Sequence, residues 1–118
     1  MKNLAENIIR QRLVVEGLTN LRLDQEILFR YLKELTQLVA MKPLRDPEVS
    51  PAGDIGIGAW QHWMTSGCHV YSYDKKYTGK DYALITVDTY TCKPFDPQKV
   101  VEFTKDFFQA EEIAWKEV

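Results

Sequence analysis

The stretch that decides the fold is "CHVYSYDKKYTGKDYALITVDTYTC", residues 68–92. Its two flanks, residues 68–74 and 81–92, are rich in β-branched and aromatic residues, a composition that is typical of strands. The segment between them, "DKKYTGKD" (74–81), is polar and contains a glycine, which indicates a hairpin loop. The stretch therefore predicts two neighbouring antiparallel strands.

Three more strands are predicted, two before this hairpin in the sequence and one after it. Residues 55–64, "IGIGAWQHWM", form one of them, and it meets the hairpin at the turn Thr65-Ser66-Gly67. The segments 11–21, "QRLVVEGLTNL", and 111–118, "EEIAWKEV", have strand composition at the two ends of the chain. Proline, glycine and aspartate make residues 45–54, "RDPEVSPAGD", a predicted loop.

Two segments have the periodicity of amphipathic helices. The first lies within residues 23–43, with Asp24 as its N-cap and Pro43 as its expected stop, and the second lies within 95–109, with Asp96 as its N-cap. Apolar residues three and four positions apart give each helix one apolar face. In the first helix these residues are Ile27, Leu28, Tyr31, Leu32, Leu35, Leu38 and Val39; in the second they are Val100, Phe103 and Phe107.

The predicted element order, β-α-β-β-β-α-β, indicates an α+β two-layer sandwich in one domain over residues 1–118. Two helices with a single apolar face each suit one side of a mainly antiparallel sheet. Strand aromatics then leave apolar surface on the other side, and a homodimer through the open sheet face would cover it. The alternative is that loops and the N-terminal segment cover it. The aromatics concerned are Trp60, Trp63, Tyr71, Tyr73, Tyr82 and Tyr90.

Composition excludes several classes of partner. The formal net charge is −2 and the pI is near 5.7, which predicts no binding of nucleic acid. No apolar run approaches the roughly 20 residues that span a bilayer, so no membrane association is expected. The N-terminus has charges where a signal peptide needs apolar residues, which favours a cytoplasmic protein. The two cysteines and two histidines have no metal-ligand spacing, so no metal is expected.

Ser66 is the first candidate for chemistry. A serine hydroxyl at a bent turn can attack the carbonyl of the preceding residue, Thr65, and shift the chain onto an ester. β-Elimination of that ester leaves a pyruvoyl group, an electron sink comparable to the aldehyde of pyridoxal phosphate. The alternative interpretation is an ordinary turn residue, because serine and glycine are common in turns.

Cys92 is the second candidate. It closes the strand "ALITVDTYTC", where Asp88, Tyr90 and Cys92 are expected to share one face because side chains alternate along a strand. A thiol at that position, next to Lys93, could donate a proton to a carbanion. The alternative is that it fills space in the core, as free cysteines often do.

The chain resembles the bacterial and archaeal class of S-adenosylmethionine decarboxylase, a small pyruvoyl enzyme. The resemblance is carried by "TSGCHVYSYD", "VDTYTC" and "DPQKVVEFTKDFF". The family has Glu-Ser-His at the turn, a second histidine four residues after the first, and Asp-x-Phe-Thr-Cys at a strand end. Ser66 matches the serine, and residues 88–92 match the second motif with tyrosine for phenylalanine. Thr65, Gly67 and Tyr71 stand where the family has the glutamate and the two histidines.

The resemblance implies that Ser66 is the precursor of a pyruvoyl cofactor, formed by cleavage between Thr65 and Ser66. It implies that Cys92 protonates the decarboxylated substrate. His69 has the parity of the two missing histidines and is the expected replacement base for processing. The implied substrate is S-adenosylmethionine, on the route to polyamines, although arginine or ornithine would react by the same chemistry. Asp88, Tyr71 and Tyr90 are the expected substrate-binding residues.

Two other hypotheses stay open. Loss of the motif glutamate and both histidines would also suit a catalytically silent homologue, which binds a nucleoside or polyamine or acts as the regulatory subunit of an active paralogue. An unrelated interaction module is the remaining hypothesis, but fold alone would not place Ser66 and Cys92 in this order.

Overall fold

The computed structural model describes residues 2–118 and contains one six-stranded antiparallel sheet, two α-helices and one short 3-10 helix at Lys75–Tyr77. Along the sheet the strands lie in the order β2-β3-β4-β5-β1-β6. The elements in chain order are β1 (Gln11–Thr19), α1 (Gln25–Leu38), β2 (Glu48–Pro51), β3 (Gly56–Trp63), β4 (Ser66–Tyr73), β5 (Ala83–Thr91), α2 (Pro97–Phe108) and β6 (Glu112–Glu117). The predicted α+β class is confirmed.

Both helices begin at the predicted aspartates. The Asp24 side chain accepts a hydrogen bond from the backbone N–H of Ile27 at 2.9 Å, and Asp96 accepts one from Gln98 at 3.0 Å. The end of α1 differs from the prediction. The helix finishes at Leu38, because Ala40 takes a left-handed conformation with φ 55°, three residues before Pro43.

The predicted loop at residues 45–54 is partly wrong, because it contains β2. This four-residue strand pairs with β3 at the edge of the sheet, with Val49 opposite Ala59. It includes Pro51, which cannot donate to a strand ladder and is tolerated at an edge. The sheet therefore has six strands where the sequence predicts five.

One sheet face packs against both helices and forms the core. Tyr31 of α1 is fully buried there, and its hydroxyl lies 2.7 Å from the Thr104 hydroxyl of α2. Its ring centroid lies 4.7 Å from that of Phe108. Trp63 also belongs to this face, which corrects its grouping with aromatics that could face outward. It is fully buried, and its indole N–H donates to the Thr36 hydroxyl of α1 at 2.8 Å.

No helix formed by residues 2–118 covers the opposite sheet face. Tyr71, Tyr73 and Tyr90 lie on it with 43%, 38% and 41% of their surface exposed. Tyr82 precedes β5 and lies at the far end of the sheet from Ser66, in a second hollow that the end of β4 also lines. No helix in the described part of the chain is both long and apolar enough to cross a bilayer.

Candidate functional site

The turn between β3 and β4 places a strained residue directly before Ser66. Trp63 pairs with Ser66 across the two strands, so the turn consists of Met64 and Thr65 alone. Thr65 has φ 56°, in the left-handed region. A β-branched residue there is a steric outlier, and such backbone strain costs about 1–3 kcal/mol. The peptide bond between Thr65 and Ser66 therefore begins at a strained residue.

Ser66 and Cys92 meet at this turn. Strand β5 ends at Thr91, and the next backbone N–H, that of Cys92, donates to the Ser66 hydroxyl oxygen at 2.9 Å. The Thr65 hydroxyl oxygen lies 3.0 Å from Cys92 Sγ, and the Met64 carbonyl oxygen lies 3.7 Å from the same sulfur. Cys92 is thus past the strand, and its thiol lies at the β3–β4 turn with both residues of the expected cleavage bond.

The two cysteines have opposite electrostatic surroundings. Hydrogen bonding from the Ser66 hydroxyl, and then from the Thr65 hydroxyl, lowers the pKa of Cys92 from its ordinary value, with a smaller effect of Lys93 in the same direction. Burial raises the pKa of Cys68 to about 12. Cys68 is fully buried in the core, where its thiol lies 3.4 Å from the Thr89 hydroxyl. Only Cys92 has surroundings that favour a thiolate.

A hollow of about 690 Å³ opens beside the turn on the open sheet face. Its volume is within the range of sites for small molecules. Trp60 of β3 and Tyr90 of β5 supply aromatic walls, and His69 of β4 and Asp88 of β5 supply polar groups. The complete lining is Lys2, Asn3, Arg10, Gln11, Arg12, Trp60, Thr65, Ser66, Gly67, His69, Asp88, Tyr90 and Val118.

Trp60 is the largest side chain in the hollow, and sequence analysis did not single it out as a site residue. Its ring centroid lies 4.3 Å from that of His69 and 5.5 Å from that of His62. A Cβ on Gly67 would lie 3.1 Å from the Trp60 ring, so the indole takes the space that a side chain at position 67 would need. Trp60 could have been identified from the pairing of His62 with Gly67 and of Trp60 with His69. This pairing is known only once the strand register is known.

Arg12 is a second site residue that sequence analysis did not single out. Its guanidinium donates to both carboxylate oxygens of Asp88, at 2.9 and 2.7 Å. Both side chains are more than a third exposed, so the pair contributes little to stability. Both residues line the hollow, so Arg12 could bind the carboxylate of a ligand and Asp88 could bind its amine.

The expected site residues divide into two groups. Thr65, Ser66 and Cys92 form one hydrogen-bonded cluster, while Asp88, Tyr90 and His69 line the hollow beside it. His69 makes no side-chain hydrogen bond to Ser66 among residues 2–118. Tyr71 lies outside the lining, and its ring stacks on His69 with centroids 6.0 Å apart. Nowhere in the same range do three His, Cys, Asp or Glu side chains gather as metal ligands.

The two-layer α+β fold has a counterpart among solved structures. The adenosylmethionine decarboxylase from Aquifex aeolicus VF5 superimposes with a TM-score of 0.64, over 94% of this chain and 89% of that chain, at 12% sequence identity. This similarity establishes the fold. No curated protein matches the chain by sequence.

The family itself follows from the sequence profile. The profile described as S-adenosylmethionine decarboxylase matches residues 16–118, which is most of the chain and includes the turn, β5 and α2. The chain belongs to the S-adenosylmethionine decarboxylase family, as its motifs predict.

Proposed function

We propose that this protein is a pyruvoyl-dependent decarboxylase that makes its own cofactor by cleavage between Thr65 and Ser66. One observation carries the proposal. The hydroxyl of Ser66, the strained backbone of Thr65 and the thiol of Cys92 lie in one cluster joined by hydrogen bonds of 2.9 and 3.0 Å. We interpret this cluster as a self-cleavage site because the chain belongs to a family that is pyruvoyl-dependent. A pyruvoyl group at residue 66 would supply the electron sink for loss of carbon dioxide.

The hollow beside the turn is the proposed substrate site. Trp60 and Tyr90 offer aromatic surface, and the Arg12–Asp88 pair offers both charges to the α-amino acid part of a substrate. The proposed proton donor to the carbon that loses carbon dioxide is the thiol of Cys92, a residue whose backbone N–H forms a hydrogen bond with Ser66. The proposed substrate is S-adenosylmethionine, and a related amino acid such as arginine or ornithine would react in the same way.

We also propose a homodimer through the open sheet face. Three exposed tyrosines, Tyr71, Tyr73 and Tyr90, lie on this face, and no helix in the described part of the chain covers them. An exposed aromatic surface of this kind is typical of protein contacts. The hollow opens on the same face, so a second copy would lie over it. We also propose that the protein acts in the cytoplasm.

One observation favours the second candidate function, a catalytically silent homologue. Ser66 accepts a backbone hydrogen bond, but no imidazole or carboxylate group within residues 2–118 forms a hydrogen bond with it. His69, the expected base, stacks on Trp60 instead. A silent protein would keep the hollow and bind a nucleoside or a polyamine without turnover, alone or with an active paralogue.

Intact mass measured under denaturing conditions separates the two functions. We expect the expressed chain to give two fragments, residues 1–65 and 66–118. Ser66→Ala should give one chain of 13.7 kDa. Ser72→Ala is the matched control, because Ser72 is a second buried serine of β4 that lies outside the turn. An uncut wild-type chain would support the silent homologue.

Binding provides a further comparison. S-adenosylmethionine, arginine, ornithine and spermidine should each be tested for a shift in melting temperature, since a ligand stabilises the state that binds it. The measurement should use Ser66→Ala, in which substrate cannot be consumed. A shift with S-adenosylmethionine supports the proposed substrate. No shift with any of these compounds counts against both functions.

A further inference from the structure

We propose that Cys92 is also the base that takes the Ser66 hydroxyl proton when the chain cleaves itself. This rests on the proposed function and concerns an earlier step than protonation of the substrate. Among the described residues, Cys92 is the one titratable side chain that forms a hydrogen bond with a member of the cleavage pair, through the Thr65 hydroxyl at 3.0 Å. It also contacts the other member through its backbone N–H.

The hydrogen bonds orient the Ser66 hydroxyl for transfer of its proton. The backbone N–H of Cys92 donates to the Ser66 oxygen at 2.9 Å, which uses one acceptor position and leaves the O–H to donate. The thiol of the same residue lies at the same turn, 3.0 Å from the Thr65 hydroxyl oxygen, and hydrogen bonding from the Ser66 hydroxyl lowers its pKa. Cys92 thus contacts the nucleophile through its backbone N–H and the residue before the nucleophile through its side chain.

The surroundings of the sulfur favour the thiolate that a base requires. The single hydroxyl proton of Thr65 can be donated to the Met64 carbonyl at 2.7 Å or to Cys92 Sγ at 3.0 Å. When the sulfur is charged, the second bond is the stronger one. Lys93 is the adjacent cation, and its ammonium donates to the Ala40 carbonyl beyond α1.

The other titratable groups near the turn are on the open face. His69 packs against the Trp60 ring, and Asp88 is held by Arg12 through both carboxylate oxygens. Neither forms a hydrogen bond with Ser66 or with Cys92 among residues 2–118. They are therefore poorly placed to compete with Cys92 for the Ser66 proton.

The proposed self-cleavage and pyruvoyl formation need one co-reactant, water. The Ser66 hydroxyl proton passes to the Cys92 thiolate as the hydroxyl oxygen bonds to the Thr65 carbonyl carbon. The bond between that carbon and the Ser66 nitrogen breaks, and the thiol returns its proton to the departing amine, which leaves an ester and regenerates the thiolate. Loss of the Ser66 α-proton then expels the Thr65 carboxylate. Water adds to the resulting enamine after tautomerisation, releases ammonia and leaves the pyruvoyl group.

Cleavage kinetics of freshly translated chain test this assignment. Cys92→Ala should slow the appearance of residues 66–118 by about 100-fold, the lower end of what general base catalysis contributes. Cys68→Ala, the control at the other cysteine, should cleave at the wild-type rate because Cys68 lies in the core. The wild-type rate should rise with pH until the thiol of Cys92 is ionised and then level off. In Cys92→Ala this dependence should disappear.

A second measurement does not depend on cleavage. Ser66→Ala removes the hydroxyl, and Ser66→Thr keeps it on a more hindered carbon. Alkylation of Cys92 by iodoacetamide should have its midpoint at lower pH in Ser66→Thr, sampled before cleavage, than in Ser66→Ala. Equal midpoints would overturn the proposed contact between hydroxyl and thiol.

The outcomes distinguish this inference from the proposed function. If Cys92→Ala cleaves as fast as wild type, Cys92 is not the base, but the protein remains a self-processing decarboxylase. If wild type does not cleave under any condition, both proposals fail.

Discussion

Replacing Thr36 with valine tests how α1 supports the turn between β3 and β4. The Thr36 hydroxyl accepts the indole N–H of Trp63 at 2.8 Å and donates to the Leu32 carbonyl at 2.7 Å. Trp63 is fully buried and lies two residues before the expected cleavage bond. Valine has nearly the same shape as threonine but offers no acceptor. The variant therefore leaves one buried N–H without a partner.

The expected loss follows from that unpaired donor. A buried donor left unsatisfied costs about 1–3 kcal/mol. For a chain of this length, each kcal/mol lowers the melting temperature by about 4 °C, so Thr36→Val should melt about 4–12 °C below wild type. Thr36→Ser keeps the hydroxyl and loses one buried methyl group, which costs about 0.8 kcal/mol, or about 3 °C.

Circular dichroism melts of the three proteins measure the difference. Thr36→Val should be less stable than Thr36→Ser. If Thr36→Val melted no lower than Thr36→Ser, the hydrogen bond to Trp63 would contribute nothing, in conflict with the expected cost of a buried unpaired donor.

Three other outcomes are expected. Gly56→Ala should destabilise the β3–β4 pairing by about 3 kcal/mol or more, measured by urea unfolding, because its Cβ would lie 1.8 Å from the Ser72 carbonyl oxygen; an unchanged midpoint would contradict the close approach. Asp88→Asn should change stability by less than about 1 kcal/mol, since its pair with Arg12 is exposed, yet it should reduce the thermal shift given by S-adenosylmethionine. An unaltered thermal shift would argue against the hollow as the ligand site. Tyr71→Glu should convert the dimer to a monomer in light scattering, and a monomeric wild type would contradict the proposed interface.

The sequence predicts the parts of the fold that local chemistry determines. The aspartates at both helix starts form the expected caps, because a capping interaction involves only three or four adjacent residues. The hairpin between β4 and β5 and the last strand are confirmed for a similar reason, since alternation and turn residues are local signals. The proximity of Ser66 and Cys92 also agrees with the family resemblance, although their roles remain predictions.

Other parts of the structure depend on contacts that no local pattern contains. Strand β2 is four residues long and includes Pro51, so its pairing with β3 overrides a loop composition. Trp63 and Trp60 are close in sequence and have the same residue type, but strand parity places them on opposite sides of the sheet. The partnership of Arg12 with Asp88 joins β1 to β5 and follows only from their register.

The order of strands along the sheet would have a consequence for a protein cleaved between Thr65 and Ser66. Residues 1–65 supply β1, β2 and β3, whereas residues 66–118 supply β4, β5 and β6. In the order β2-β3-β4-β5-β1-β6, the two fragments alternate and meet along the pairings β3–β4, β5–β1 and β1–β6. Breaking the backbone at residue 65 would leave the fragments interleaved, so that neither could depart while the sheet stays intact. The cleaved protein would unfold in a single thermal transition and elute as one species. The two fragments would separate only under denaturing conditions.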